Sequence, residues 1–258
     1  MRINLHTHTP RCNHACGAEQ EYIESAIQSG ITTLGFSDHA PYLFDYGYYS
    51  SFRMHPEQLR DYVETLQSLR ENYRDRIYLP VGVELEYYPK YFDRTVQLLL
   101  EHGIEYCLLG QHFTGDEPFS WYSGTETADE AVLEQYVRNC VAGMETGIYT
   151  YIAHPDLIHY VGDRKVYRKW MRVLIQASRD CSVGLEYNLL GLREGRHYPC
   201  NDFLALCGED NCELILGCDA HTPRSLLDSG TEEKAKALLS EYGIKLCSNI
   251  EIKQLQAQ

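Results

Sequence analysis

The sequence lacks the features that mark several common classes of protein. It has no basic excess, since 23 lysines and arginines against 37 aspartates and glutamates leave a formal net charge of −14. That balance argues against a nucleic-acid partner, which would require a basic face. No apolar run precedes the polar first residues, and none approaches the roughly 20 residues that a membrane helix needs. We therefore expect a cytoplasmic protein with no membrane or nucleic-acid partner.

Two further absences bear on the cysteines and on the organisation of the chain. Among the ten cysteines, the pairs Cys12–Cys16 and Cys207–Cys212 lack the CxxC spacing of a metal clip, so we interpret them as reduced thiols. No stretch rich in serine, glycine or proline interrupts the sequence, and a single domain over residues 1–258 is predicted. Hydrophobic residues make up 44% of the chain, which is enough for a sizeable core.

What the sequence does contain is a regular alternation of two patterns. Short apolar or β-branched runs predict strands, and charged segments with apolar residues at helical spacing predict helices. Strands are predicted at 3–8, 31–39, 77–87, 104–112, 148–154, 182–188 and 213–221, with a last extended segment at 244–249. Helices are predicted at 18–30, 55–74, 90–102, 127–146, 163–179, 198–210 and 231–242.

This alternation predicts an α/β fold with parallel strands and crossover helices. About seven such units favour an irregular, TIM-like barrel over an open sheet. A doubly wound sheet is the alternative, but the sequence has no glycine-rich phosphate loop after its first strand. In a parallel barrel the carboxyl ends of all strands meet on one face, where barrel enzymes carry their active sites.

Histidines are concentrated at those predicted strand ends. Of the eleven in the chain, six end a predicted strand and one follows the first strand, whereas His55, His102, His159 and His197 are scattered. Each strand-end residue taken alone is typical of a hydrogen-bonded loop or a helix cap. With two carboxylates they make nine donors, too many for one tetrahedral ion and enough for two or three: His6, His8, His14, His39, Glu84, His112, His154, Asp219 and His221.

Six segments carry these donors, namely HTHTPRCNH, FSDHAPY, VGVELEY, LGQHF, IAHPDL and GCDAHTP, and LEYNLLGLR precedes the last of them. In this order, from residue 2 to about residue 223, they resemble the motifs of the polymerase-and-histidinol-phosphatase (PHP) family, and most closely its monofunctional histidinol-phosphatase branch. The resemblance implies a distorted (β/α)7 barrel with three divalent metal ions at the C-terminal face of its strands. Zinc, iron and manganese are all compatible with such histidine-rich sites.

The same resemblance distributes the nine donors over three ions. Glu86 lies on the same strand face as Glu84 and is its rival as a ligand, but Gly82-Val83-Glu84 matches the family pattern better. The implied sets are His6, His8, Glu84 and Asp219 for the first ion, a bridging Glu84 with His112 and His154 for the second, and His14, His39 and His221 for the third.

For function, the resemblance implies a phosphoric monoester hydrolase that converts L-histidinol phosphate to L-histidinol and phosphate in histidine biosynthesis. A hydroxide that bridges two ions is predicted to attack phosphorus in line, while the ions neutralise the phosphoryl oxygens. Glu84, Asp219 and His221 are the predicted catalytic residues. The acid that protonates the leaving group stays open between Asp219, His221 and metal-bound water.

Contacts to the small phosphorylated substrate are predicted after the sixth strand. Arg193 is the first candidate for bidentate phosphate binding, against the alternative of a surface pair with Glu194, and Arg196 and Asn188 follow it. The tyrosine-rich loop is predicted to be either a self-packed lid or a wall for imidazole, and it contains Tyr42, Tyr46, Tyr48 and Tyr49. The acid that meets the substrate's amine stays open among Asp45, Asp116 and Asp156.

Two other functions stay open on the sequence alone. One is a PHP phosphoesterase that acts on nucleotides or other small phosphate esters. The other is a catalytically idle PHP module that stabilises a partner, which the complete donor set argues against. The acidic charge and the lack of a basic stripe argue against long nucleic-acid substrates. The oligomeric state is not predicted.

Overall fold

Strands and helices alternate along the chain in the predicted order. The computed structural model describes residues 1–247 and 249–256, without the side chain of Tyr46. Residue 248 of the predicted last segment therefore lies outside the described residues. The strands are β1 (Ile3–Asn4), β2 (Thr33–Leu34), β3 (Phe36–His39), β4 (Val81–Leu85), β5 (Tyr106–Leu109), β6 (Tyr149–Ile152), β7 (Gly184–Asn188), β8 (Glu213–Gly217) and β9 (Lys245–Leu246). The helices are α1 (Glu19–Gln28), α2 (Leu59–Tyr73), α3 (Phe92–Glu101), α4 (Glu130–Glu145), α5 (Arg164–Asp180), α6 (Leu189–Glu194), α7 (Asn201–Glu209) and α8 (Ser229–Glu241).

The strands are parallel, and within each sheet every strand pairs with the next one along the chain. β3 to β9 form a seven-stranded sheet in sequence order, and β1 pairs with β2 in a separate two-stranded sheet. The N-terminal segment links the two: Ser37 N–H donates to the carbonyl of Thr7 at 2.8 Å, and His8 N–H donates to that of Ala220 at 2.9 Å. Residues 7–8 thus lie between β3 and the chain that follows β8, which is the link that a closed barrel requires.

Two local features differ from the predicted elements. The predicted strand 31–39 is divided at Gly35, where a Cβ would lie 2.2 Å from the hydroxyl of Tyr106. That hydroxyl lies within hydrogen-bond distance of the carbonyl oxygens of Leu5, at 2.8 Å, and Phe36, at 3.1 Å. The buried side chain of Tyr106 therefore occupies the space next to residue 35, where the strand is interrupted. The short helix α6 was not predicted, because its six residues are too few to show helical periodicity.

The helices cover the sheet with one apolar face each. In α5 the buried residues recur at spacings of three and four, as an amphipathic helix requires: Tyr167, Trp170, Met171, Leu174, Ile175 and Ser178. The predicted strand 104–112 is an apolar run because β5 is buried on both faces. Among the described residues, no helix is both long and apolar enough to span a bilayer.

Candidate metal centre

The two histidines of the first segment lie at the bottom of the centre, where they are completely buried. His6 and His8 leave the backbone on the same side because residues two apart on an extended segment share a face. Their rings are 5.2 Å apart between centroids. Backbone hydrogen bonds hold both positions, since Ala220 N–H donates to the carbonyl of His6 at 3.2 Å and His8 N–H to that of Ala220.

Glu84, on β4, lies at the middle of the histidines. Its Oε2 is 3.0 Å from Nδ1 of His39 and 3.6 Å from Nε2 of His6. Its Oε1 is 3.0 Å from Nε2 of His154 and 3.6 Å from that of His112. A carboxylate with different imidazoles at each oxygen has the geometry of a bridging ligand.

The neighbouring strand leaves room for this carboxylate. A Cβ at Gly110 would lie 2.0 Å from Oε1 of Glu84, so any larger residue would displace the side chain. Glycine is therefore required here for close approach rather than for its backbone freedom.

Asp219, just after β8, is the second carboxylate of the centre. Its Oδ1 lies 3.2 Å from Nε2 of His8 and 3.5 Å from Nε2 of His6. Asp219 has φ of 48° and His154 has φ of 32°, a left-handed region that costs free energy for residues other than glycine. Two of the predicted ligands thus occupy unfavourable backbone conformations at strand ends. Such conformations are often found at functional sites.

The donors fall into two clusters, which differ in depth. The inner cluster is buried and comprises His6, His8, Glu84, His112, His154 and Asp219. The outer cluster comprises a buried His39, a partly exposed His221 and an exposed His14. The ring nitrogens of these three lie within 4.8 Å of one another, and Nε2 of His14 is 2.9 Å from Nε2 of His221. This is the trio that the family resemblance implies for the third ion.

Buried carboxylates behind the inner histidines orient the rings, and the sequence analysis missed them. Nδ1 of His6 lies 2.8 Å from Oε1 of Glu186 on β7, and Nδ1 of His112 lies 2.8 Å from Oε1 of Glu86. With Nδ1–H donated to a carboxylate, the Nε2 lone pair faces the centre, as in metal sites generally. Asp38 stands 3.4 Å from Nδ1 of His8 in the same way.

The sequence contains one indication of these carboxylates, but it is ambiguous. It presents Glu86 only as a rival of Glu84, and the structure places Glu86 behind His112 instead. Arg53 holds it there through a buried network: its guanidinium donates to Glu86 at 2.9 Å and to Glu117 at 2.6 Å. Cys12, for which the sequence suggested no role, has its thiol within 4.8 Å of ring nitrogens of His8 and His221.

Unsatisfied buried atoms test whether these residues suit metal ions. Within the described residues, several donor atoms that face the centre are buried without a hydrogen-bond partner: Nε2 of His6 and His8, Nδ1 of His39, both carboxylate oxygens of Glu84, and Oδ1 of Asp219. Buried polar atoms are rarely left unpaired, because desolvation is then uncompensated. Nitrogen and oxygen lone pairs that converge in this way match the ligands of zinc and related ions.

The pKa values of the buried acids and histidines also favour the binding of cations. Burial acts to raise the pKa of the Glu84 carboxyl, but His112, His39 and His6 hold that pKa well below its usual range. Burial likewise lowers the pKa of His6, yet Glu186, Asp219 and Glu84 raise it well above its ordinary value. The carboxylates thus stay ionised and attract positive charge into a buried volume.

The three residues predicted to bind phosphate have different surroundings. Asn188 does not offer a free amide group: its Nδ2 donates to Glu186 at 2.9 Å and to Asp219 at 3.1 Å. It therefore orients two acids of the centre. Arg193 is directed away, with Nη1 3.8 Å from Oδ2 of Asp228, and it is not paired with Glu194 as the alternative held. Arg196 lines the open cavity, and Arg193 does not.

That cavity lies directly above the two clusters and has a volume of about 500 Å³. Seven of the nine predicted ligands, all but His6 and His8, line its floor. Its outer wall is formed by Phe52, Phe113, Tyr122, Leu157, Leu190, Glu194, Arg196 and Tyr198. Of the tyrosine-rich loop, Tyr42 is buried against Tyr88 at 5.0 Å between ring centroids and Tyr49 stacks on His55 at 4.3 Å. The described tyrosines of the loop do not line the cavity, which agrees with self-packing rather than with a substrate wall; the side chain of Tyr46 is outside the described residues.

The acids considered for a substrate amine also lie elsewhere. Asp45 pairs with Lys90 at 2.6 Å, and Asp156 accepts from the backbone of Cys200 at 2.6 Å beside a separate cavity. Asp116 precedes a short 3-10 turn and does not line the cavity above the clusters. Glu194 is the acid in the outer wall, and the sequence analysis considered it only as a partner of Arg193.

A family model described as PHP domain matches residues 4–189. The chain belongs to the PHP domain family. The match contains all the predicted donors except Asp219 and His221, which lie beyond its end, and the resemblance seen in the motifs is confirmed.

Curated relatives extend the likeness of this PHP domain over most of its length. The probable histidinol-phosphatase of Deinococcus radiodurans is 26% identical over 224 residues, which cover 84% of this chain and 85% of that protein. The histidinol-phosphatase of Bacillus subtilis is 23% identical over 247 residues, 84% of this chain and 92% of that protein.

A solved structure shows that the fold is shared as well. The histidinol phosphate phosphatase of Lactococcus lactis was crystallised with zinc, L-histidinol and phosphate, and it matches this chain with a TM-score of 0.74 at 17% identity. The match covers 98% of both chains, so the predicted α/β class is confirmed for the whole length.

Proposed function

We propose that this protein is a metal-dependent phosphomonoesterase that hydrolyses L-histidinol phosphate to L-histidinol and phosphate. The observation that carries the proposal is the convergence of nine donors, predicted from strand ends, seven of which line one cavity large enough for a small molecule. The curated relatives of this chain include proteins named probable histidinol-phosphatase and histidinol-phosphatase. Three ions are proposed, of zinc, iron or manganese.

The chain's residues divide into ligands and residues that hold them. The inner cluster would hold two ions around Glu84, and the outer cluster would hold a third. When bound, the ions supply positive charge for the phosphoryl oxygens and make a nucleophile available from water at neutral pH. Glu186, Asp38 and Glu86 keep the inner rings in place, so the ligands do not have to reorganise when substrate binds.

Arg196 is positioned to bind the phosphate from the side opposite the floor. Its guanidinium donates Nη1–H to the hydroxyl of Tyr198 at 2.7 Å and Nε–H to Glu194 at 2.8 Å, which leaves further N–H groups for phosphoryl oxygens. Among the described lining residues it is the one lysine or arginine. It therefore takes the role that the sequence suggested first for Arg193.

The rest of the wall suits the remainder of L-histidinol phosphate. Phe52, Phe113 and Tyr122 present aromatic faces and edges to the cavity, against which an imidazole can pack. Glu194 provides a carboxylate for the substrate's ammonium group. The cavity thus offers a cationic, an anionic and several aromatic groups, which suit the phosphate, the amine and the imidazole of the substrate.

Protonation of the leaving group is assigned by elimination. His221 has both ring nitrogens engaged, Nδ1 with the carbonyl of Asp219 at 3.1 Å and Nε2 with His14. Asp219 accepts from Asn188 with one oxygen and faces His6 and His8 with the other. Neither presents a proton to the cavity, so water in the open site is the proton source among the three candidates.

Phosphate release from a panel of esters tests the proposal. The metal-loaded protein is assayed with L-histidinol phosphate, a mononucleotide and p-nitrophenyl phosphate, and kcat/KM is expected to be highest for L-histidinol phosphate by at least an order of magnitude. Preference for the mononucleotide would show that L-histidinol phosphate is not the substrate, but the protein would still be a phosphomonoesterase. No release from any ester by protein of verified metal content would establish an idle module.

A further inference from the structure

Five helices end with the same hydrogen-bond pattern, and one of them joins two thiols. In α1, α3, α5, α7 and α8 a backbone N–H donates to the carbonyl five residues earlier: Ile31 to Ala26, Ile104 to Leu99, Val183 to Ser178, Cys212 to Cys207, and Ile244 to Leu239. This is the 6→1 bond of the Schellman motif, which is frequently accompanied by a contact between the two side chains. At α1, α3 and α8 both are aliphatic, whereas at α7 both are cysteines.

The geometry at the end of α7 completes the motif. Cys212 N–H donates to the carbonyl of Cys207 at 2.8 Å, and Asn211 N–H donates to that of Gly208 at 3.1 Å. Asn211 takes the left-handed conformation that the motif needs, with φ of 54°. The backbone hydrogen bond between Cys212 and Cys207 thus places the two side chains next to each other at the end of α7.

The two cysteines differ in access and in charge environment. Cys207 is completely buried, whereas Cys212 retains 8% exposure and lines an open cavity of about 490 Å³. The guanidinium of Arg179, at the end of α5, lies with Nη2 3.5 Å from Sγ of Cys212. The hydrogen bond from Cys207 and this guanidinium lower the pKa of the Cys212 thiol to about 7, whereas the pKa of Cys207 is raised.

We propose that Cys207 and Cys212 are a reversible dithiol–disulfide pair, with Cys212 as the attacking thiol and Cys207 as the resolving one. This modification site is independent of the metal centre, because Cys212 precedes β8 and Asp219 follows it, at the other end of the strand. The oxidant is a small disulfide of the glutathione type, which reaches Cys212 through the open cavity.

The exchange proceeds in two balanced steps. The Cys212 thiolate attacks one sulfur of the small disulfide, forms a mixed disulfide and releases one thiolate, which takes up a proton. Cys207 then loses its proton and attacks Sγ of Cys212, which releases the second small thiol. Two electrons and two protons pass from the protein to the small disulfide, and the protein gains one sulfur–sulfur bond.

The test equilibrates the full-length, metal-loaded protein with glutathione buffers of increasing oxidised fraction at neutral pH. Free thiols are then alkylated and the protein is weighed by mass spectrometry. We expect a stepwise loss of two hydrogens and of two alkylation sites. A glutamate-specific protease cuts after Glu209, between the two cysteines, so the disulfide will join two fragments.

Serine variants distinguish the attacking thiol from the resolving thiol, and both from the nearby thiol of Cys247. C212S is expected to abolish the loss of two hydrogens, and C207S to retain one glutathione on Cys212 as a mixed disulfide. C247S is the matched control, because Cys247 lines the same cavity, and it should behave as the wild type. C212S should also leave phosphate release unchanged.

Two results would overturn the proposal, and one of them requires no variant. The first is wild-type protein that keeps all its thiols in fully oxidised glutathione. The second is a disulfide that maps to Cys212 and Cys247. Unchanged circular dichroism of C207S and C212S ensures that their behaviour reports on thiol chemistry rather than on folding.

Discussion

The inner and outer clusters use the same residue type in two different settings. His6, His8 and His112 of the inner cluster each have Nδ1 against a buried carboxylate. In the outer cluster, Nδ1 of His14 instead faces the carbonyl of Cys12 at 2.7 Å. Nδ1 of His221 lies 3.1 Å from the backbone carbonyl of Asp219 and 3.3 Å from its carboxylate. A carboxylate partner increases the basicity of an imidazole more than a neutral carbonyl does.

Depth adds to this difference. The inner rings are excluded from solvent, whereas His14 is exposed and His221 partly so. A buried ligand set cannot relax toward water when an ion leaves, so its unpaired atoms make loss of the ion costly. We therefore expect residues 6–14 to contribute to one firmly held ion site and to one exchangeable ion site.

The largest effect is expected for Glu84→Gln, which breaks the inner cluster at its centre. The amide cannot supply an anionic oxygen to both sides, so phosphate release should be abolished and metal content should fall by more than one ion. The loss should exceed the about 10- to 100-fold effect of removing an orienting partner. Glu64→Gln, on the exposed face of α2, is the control; retention of full activity by Glu84→Gln would contradict a bridging role.

His14→Ala tests the outer cluster by itself. We expect elemental analysis to show the loss of one ion with the inner ions retained, and a reduced but measurable kcat, because Glu84 and its partners are untouched. His55→Ala, a partly exposed histidine outside both clusters, serves for comparison. If the inner ions left together with the outer one, the two clusters would be a single cooperative unit.

Glu186→Gln tests whether the carboxylates account for the difference between the clusters. The inner affinity for zinc, measured by competition with a chelator, should fall about 10- to 100-fold while the outer affinity stays constant. Gly217→Ala should have a similar effect by steric means, since a Cβ there would lie 1.6 Å from Oε1 of Glu186. Equal loss from both clusters would show that depth, and not the carboxylate, sets the affinity.

The smallest effect is expected for Arg196→Ala, which touches neither cluster. Metal content should be unchanged, while KM for L-histidinol phosphate rises roughly 10-fold because a hydrogen bond to a charged group is lost. Arg193→Ala, whose side chain faces Asp228, is the matched control and should leave KM near the wild-type value. A larger effect at Arg193 would restore the order that the sequence suggested.

The directions of the Arg193 and Arg196 side chains could not be predicted from the sequence. The motif LEYNLLGLREGR placed Arg193 and Arg196 after the same strand and could not rank them by direction. α6 turns Arg193 toward Asp228 at the start of α8, and Gly195, with φ of 63°, ends the helix so that Arg196 returns to the cavity. A helix of six residues and its left-handed cap decide this, and neither shows in hydrophobic periodicity.

By itself the sequence determined the α/β class and the order of the strands along the chain, and it placed nine candidate donors near strand ends. Parallel strands with local patterns of period two place their carboxyl ends on one face, so position along the chain was enough to bring the donors together. Only the tertiary structure decided which acids stand behind which rings, because β7 reaches His6 across 180 residues. Pairing over such a distance depends on the packing of whole elements, and no local spacing of residues encodes it.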